Sequence, residues 1–178
     1  MPIRAHRLAL VLLLVGLSAC VALKVRRTAF GPGPVLILPA RDVVQLGRPH
    51  PQGVGSGAVL SGAVARGLAA HGWQVMRTTS TRFDDVSIAD RTSALDEGRQ
   101  LGAHYVLQLV LGEFRNAAPM SFRDDFVVLE HGTLWEVETG NEVWFVSQPL
   151  RLAKENIGGH MELIEAHAEL IVKSLTQQ

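Results

Sequence analysis

The stretch HYVLQLVLGEF, residues 104–114, decides the architecture. From Tyr105 to Leu111 it is apolar on both alternating sides, with Gln108 as the interruption. A strand that must hide both faces belongs at the centre of a sheet, with other elements packed above and below it. The neighbouring sequence should therefore supply those covering layers.

Upstream, Ser87 stands in capping position with Asp90 three residues later, ahead of a helix running through Leu95 to Gly102. Before it, Trp73 to Arg77 reads as a strand. Ser56 to His71 reads as an amphipathic helix: Leu60, Val64 and Leu68 recur every four residues beside small Ala63, Gly67 and Ala70. Gly72 ends that helix. Residues 40–54 are polar and hold Gly47, Pro49, Pro51 and Gly53, a long loop. Val35-Leu36-Ile37-Leu38, closed by Pro39, is a buried first strand.

Downstream, Arg123 to Glu138 and Asn141 to Leu152 are extended stretches about a Thr139-Gly140 turn, a hairpin. In the first, Val127, Leu129, Thr133, Trp135 and Val137 are expected on one face, interrupted by His131. Trp135 and Trp144 flank the turn, where cross-strand packing is preferred over ligand stacking. Met161, Ile164, Ala168, Ile171 and Leu175 step by three and four, a docked terminal helix. The order is β-α-β-α-β-β-β-α, an α/β domain of two or three layers. Its sheet is mixed, with a parallel first part and an antiparallel hairpin.

The N-terminus has a different character. Arg4, His6 and Arg7 precede LALVLLLVGL, residues 8–17, the length of a signal-peptide core and too short for a bilayer of roughly 30 Å. Leu17-Ser18-Ala19-Cys20 then matches the bacterial lipobox, and Cys20 is the chain's one cysteine. With no partner for a disulfide, its thiol is read as the acceptor of a diacylglycerol. Residues 1–19 are then signal peptide, 20–33 lipidated cysteine and linker, and 34–178 a single periplasmic domain. Two or three acyl chains anchor firmly, at roughly 0.8 kcal/mol per buried CH₂. In Gram-negative lipoproteins an aspartate after the cysteine favours inner-membrane retention, so for a Gram-negative source Val21 points to the outer membrane.

The whole chain has 17 basic and 17 acidic side chains. Removing residues 1–19 takes two arginines and no acid, leaving a slightly acidic protein. That balance gives no footprint for nucleic acid or an anionic membrane surface.

VLILPARD, GRQLGAHYVLQLVLGEF and WEVETGNEVWF together resemble the pattern of CsgG-like bacterial lipoproteins. That group takes in LpoB-like activators and proteins with a TolB N-terminal-like domain. Two positions depart from it: Ala40 replaces the usual Phe, and Glu136 or Glu138 the usual Asp before the late turn. The resemblance implies the fold and an envelope role without catalysis.

Other candidate chemistry is weak. Gly53-Val54-Gly55-Ser56-Gly57 precedes a helix, but about fourteen residues separate it from the first strand, where a phosphate-binding turn follows directly. A flexible segment with the helix N-terminus exposed is the preferred reading. His160 and His167 share a helix face with Glu162, Glu165 and Glu169, yet a seven-residue step is roughly 10 Å along the axis, too far for one ion. A solvated face accounts for them. Asp84-Asp85 and Asp124-Asp125 sit in polar loops that do not promise the burial a catalytic acid needs. Ser61 and Ser93 lack a nucleophile-elbow setting.

The expected function is a non-enzymatic binding or assembly module, held by lipid to the outer membrane and facing the periplasm. It needs no cofactor or metal, and it engages an envelope protein through the sheet edge or the loop from Ala40 to Gly53. Homo-oligomerisation is left open. A curli-type secretion-channel subunit is the alternative, and it would require added membrane-spanning hairpins.

Overall fold

Leu107 lies opposite Ile37 on one side and Leu134 on the other, and the sheet grows outward from that row. The computed structural model describes residues 23–42, 44–45, 48–49, 53–83, 89–115, 126–153 and 160–177. The strands are β1 (Val25–Arg27), β2 (Pro34–Ile37), β3 (Val44–Gln45), β4 (Arg48–Pro49), β5 (Gln74–Arg77), β6 (Tyr105–Arg115), β7 (Phe126–Glu136), β8 (Glu142–Val146) and β9 (Leu150–Ala153). The helices are α1 (Ser56–Ala70), α2 (Arg91–Leu101) and α3 (His160–Thr176). Along the main path the strands run β1-β8-β7-β6-β2-β5. β2 is parallel to β5 and β6, whereas β6–β7, β7–β8 and β8–β1 are antiparallel. This is the mixed sheet expected from the sequence.

Alternation along the strands separates two cores. Val35, Ile37, Leu107 and Leu109 pack with α1 through Leu60, Val64 and Leu68, and with α3 through Leu163, Ile164, Ile171 and Leu175. Leu36, Leu38 and Val106 turn the other way and pack with Ala94 and Leu95 of α2. The domain has three layers. Helices α1 and α2 each settle through a glycine. A Cβ on Gly67 of α1 would meet Val172 of α3 at 2.6 Å, and one on Gly98 of α2 would meet Val106 at 2.6 Å. Such distances exclude any larger residue without displacement.

Several sequence expectations need correction. Val25–Arg27, within the stretch read as linker, pairs with β8, and Phe30 packs on Trp73 and Tyr105. Three residues at an edge carry too short a pattern to declare a strand. Val44 of the expected long loop pairs with Glu113, and β3 and β4 form a small hairpin. Helix α2 is capped by Asp90, whose carboxylate accepts from the Ser93 amide at 2.9 Å. Ser87 lies outside the described residues, as do Asp84-Asp85 and Asp124-Asp125.

The face assigned to β7 also fails. Val110 stands opposite His131 but Leu111 opposite Leu129, so Glu130 is an extra residue and the alternation reverses there. Val127 and Leu129 join the α1/α3 core, while Trp135 and Val137 join the α2 core. Trp135 and Trp144 consequently sit on opposite faces and do not pack together. Trp144 donates from Nε1 to Ser174 Oγ at 3.1 Å. The second extended stretch divides into β8 and β9, which pair with opposite ends of β7.

Candidate binding crevice

Parallel strands β2 and β5 end side by side, and the chain leaves β2 over the first turn of α1. Asp42 arrives there and accepts from two backbone amides, Gly55 N to Oδ2 at 2.7 Å and Gly57 N to Oδ1 at 2.9 Å. The helix N-terminus, expected to be exposed, is filled by the chain's own carboxylate. These amides carry the positive end of the helix dipole, so a carboxylate is well matched to them. Ser61 Oγ accepts the Ala40 amide at 3.1 Å. At Gly57 a Cβ would lie 1.9 Å from the Ala40 carbonyl oxygen, so only glycine permits this approach. The GxGxG pattern serves close packing and an internal cap.

Above these contacts is a cavity of about 640 Å³. Its walls include Pro39, Ala40, Arg41 and Asp42 from the segment after β2, Ser61 from α1, and Arg77, Thr78 and Phe83 from and after β5. A crevice outside the carboxyl ends of parallel strands is where open α/β sheets place ligands, and this volume suits a small ligand or a few residues of a peptide. The far wall is anchored to α2. Buried Glu97 accepts from Arg82 at 2.8 Å and from the Thr78 hydroxyl. Arg82 also donates to the Ser93 carbonyl and lies over the Phe83 ring. Both carboxylates near the crevice thus hold its walls. Among the described residues Arg41 and Arg77 have no ion-pair partner.

The remaining candidates disperse. His167 is fully buried, which corrects the solvated-face reading. Its Nδ1 lies 2.7 Å from the Leu163 carbonyl and its Nε2 3.2 Å from that of Leu150, and burial lowers its pKa. Glu162, Glu165 and Glu169 point to solvent. No metal-binding cluster occurs among the described residues. Thr133 Oγ1 and His131 Nε2 share a hydrogen bond of 2.7 Å in the middle of the sheet face that α2 covers at one end. Burial lowers the His131 pKa against the opposing pull of Glu142. Cys20 lies outside the described residues. Sequence reasoning missed Arg41, Asp42 and Arg77, because only the fold brings segments 13 or more residues apart to one crevice.

Neither a family model nor a curated protein matches the sequence. Among solved structures, the PelC dodecamer from Paraburkholderia phytofirmans is similar at 20% identity with a TM-score of 0.59, over 87% of this chain and 99% of that one. Lipoprotein GNA1162 from Neisseria meningitidis is similar at 14% identity with a TM-score of 0.50, over 80% and 96%. The LpoB C-terminal domain from Escherichia coli follows at 17% identity and a TM-score of 0.43, over 71% and 87%, too weak to carry an argument. The first two likenesses establish the fold. None of the three gives support to the CsgG-like part of the expected resemblance.

Proposed function

We propose that the chain is an outer-membrane-anchored periplasmic lipoprotein acting as a non-enzymatic binding or assembly module of the cell envelope. The observation that carries this reading is Leu17-Ser18-Ala19-Cys20 behind a basic and apolar leader. The fold adds support, since a protein named as a lipoprotein shares it over most of this chain. The engagement of Asp42, Glu97 and His167 in structural bonds supports a binding role over a catalytic one.

Only Val21 to Lys24 separate Cys20 from β1, at most about 14 Å of extended chain. A lipid on Cys20 therefore holds the domain close to its membrane. The partner is an envelope protein at the outer membrane or in the adjacent periplasm, and the crevice beside Ala40 to Gly53 is its docking place. Cys20→Ser should abolish labelling by a fatty-acid probe and leave the unprocessed precursor. Normal labelling of that variant would refute the anchor.

The dodecameric state of PelC favours a second element of the reading, homo-oligomerisation of this chain. Detergent extraction followed by sizing should give a discrete assembly well above one chain. A single-chain mass at all concentrations would remove this element. The secretion-channel alternative gains no support: among the described residues the two 11-residue strands, β6 and β7, pair with each other and carry the domain's own core.

A further inference from the structure

Two guanidinium groups without an ion-pair partner among the described residues give the crevice a chemical preference. Arg41 lines it from the segment after β2, and Arg77 from the end of the neighbouring parallel strand β5. The two described carboxylates at the crevice, Asp42 and Glu97, hold other groups and pair with neither Arg41 nor Arg77. Asp42 has one amide on each oxygen, and Glu97 holds Arg82 and Thr78. Ser61 Oγ accepts the Ala40 amide, which leaves its own proton to donate. Pro39, Ala40 and Phe83 supply apolar wall beside these donors.

We infer that the crevice binds a carboxylate attached to an apolar body, with Arg41 and Arg77 as its cationic clamp. Guanidinium suits this task, since its planar fork matches the two oxygens of a carboxylate and stays charged throughout the accessible pH range. The helix N-terminus does not provide the anion site, because Asp42 occupies it. The inference rests on the reading of the crevice as a binding site and not on the lipid anchor. Two sources of the ligand share this chemistry: a free organic acid, or the C-terminal carboxylate of a peptide chain.

The test is NMR titration of the arginine side-chain N–H signals in the full chain, purified in detergent. The probes are benzoate, its neutral analogue benzamide, and an N-acetylated Phe-Ala dipeptide as free acid and as amide. Saturable shifts are expected with the acids and none with the neutral forms. Arg41→Gln and Arg77→Gln should each weaken binding roughly tenfold or more, as loss of a charged hydrogen bond does. Both should leave the thermal midpoint in place, since neither arginine has an ion-pair partner to lose among the described residues. Response to benzoate alone identifies a free acid as ligand, and response to the peptide acid alone identifies a chain end. Equal response to acid and neutral forms, no response to either, or undiminished binding in both variants overturns the inference. A crosslinker at Gln45 separates this failure from that of the broader reading: capture of an envelope protein undisturbed in both variants keeps the docking site and removes only the carboxylate clamp.

Discussion

The two faces of β6 are built from different materials, although they share one backbone. Leu107, Leu109 and Leu111 point to α1 and α3 and lie within one apolar cluster. Val106, Gln108 and Val110 point the other way, where, among the described residues, α2 packs at the Val106 end. There Gln108 stands opposite Thr133 and Val110 opposite His131. Gln108 and Thr133 are almost fully buried, yet Gln108 Oε1 and the nearby Trp135 Nε1 have no hydrogen-bond partner among the described residues. A continuous apolar face can tolerate no polar atom without loss, whereas a mixed face accepts some loss and gains specificity of position. The first face should therefore carry most of the stability, and the second groups that can be changed with less harm.

The largest effect should follow from breaking the first face. Leu107→Ala removes a fully buried side chain between Ile37 and Leu134 and leaves a cavity that two helices and a sheet cannot close. A loss of about 2–5 kcal/mol is expected in urea unfolding. A change within about 0.5 kcal/mol would mean that this layer is not the main core.

A smaller effect of opposite sign is expected one residue on. Gln108→Met keeps an unbranched chain of similar length while removing an acceptor that lacks a partner. Relieving such a group should stabilise the domain by about 1 kcal/mol. Destabilisation of that size would show that the amide does structural work on the polar face, and the contrast between faces would narrow.

The same contrast explains what could be read in advance. The all-apolar run of β6 and the four-residue steps of α1 follow from burial alone, so sequence carried them well. The reversal in β7 depends on Glu130 stepping out of the ladder, which no apolar period encodes. One signal was present: Gly132, an isolated glycine in a strand pattern, where a Cβ would meet Val146 at 2.9 Å and Trp144 at 3.0 Å. The crevice was less legible still. Asp42 caps a helix that begins 14 residues later, and Arg41 and Arg77 line one cavity only because β2 and β5 are neighbours. Short-range rules look for a cap next to its helix.

The smallest effect concerns His167 and His131, one on each side of the sheet, and it appears only in acid. His167 of α3 belongs to the apolar side and is fully enclosed; His131 of β7 belongs to the mixed side and is half-buried. Burial depresses both imidazoles below the ordinary 6.5, and for His131 the charge of Glu142 works against that shift. For His167 the two backbone carbonyls oppose it. At any pH between the folded value and 6.5, the unfolded chain binds more protons than the folded one, so stability falls as pH falls. Above that window both rings are neutral in both states, and pH should have no effect through them. Urea midpoints should therefore be level from pH 8 to about pH 7 and decline below about pH 6.5. The more enclosed ring should dominate, so His167→Gln should flatten this decline more than His131→Gln, whatever each costs at pH 8. Imidazole NMR titration assigns the cause: His167 should titrate at lower pH than His131. A reversed order, or midpoints that rise on acidification from pH 7 to pH 5.5, would show that enclosure on the apolar side is not what governs the acid response.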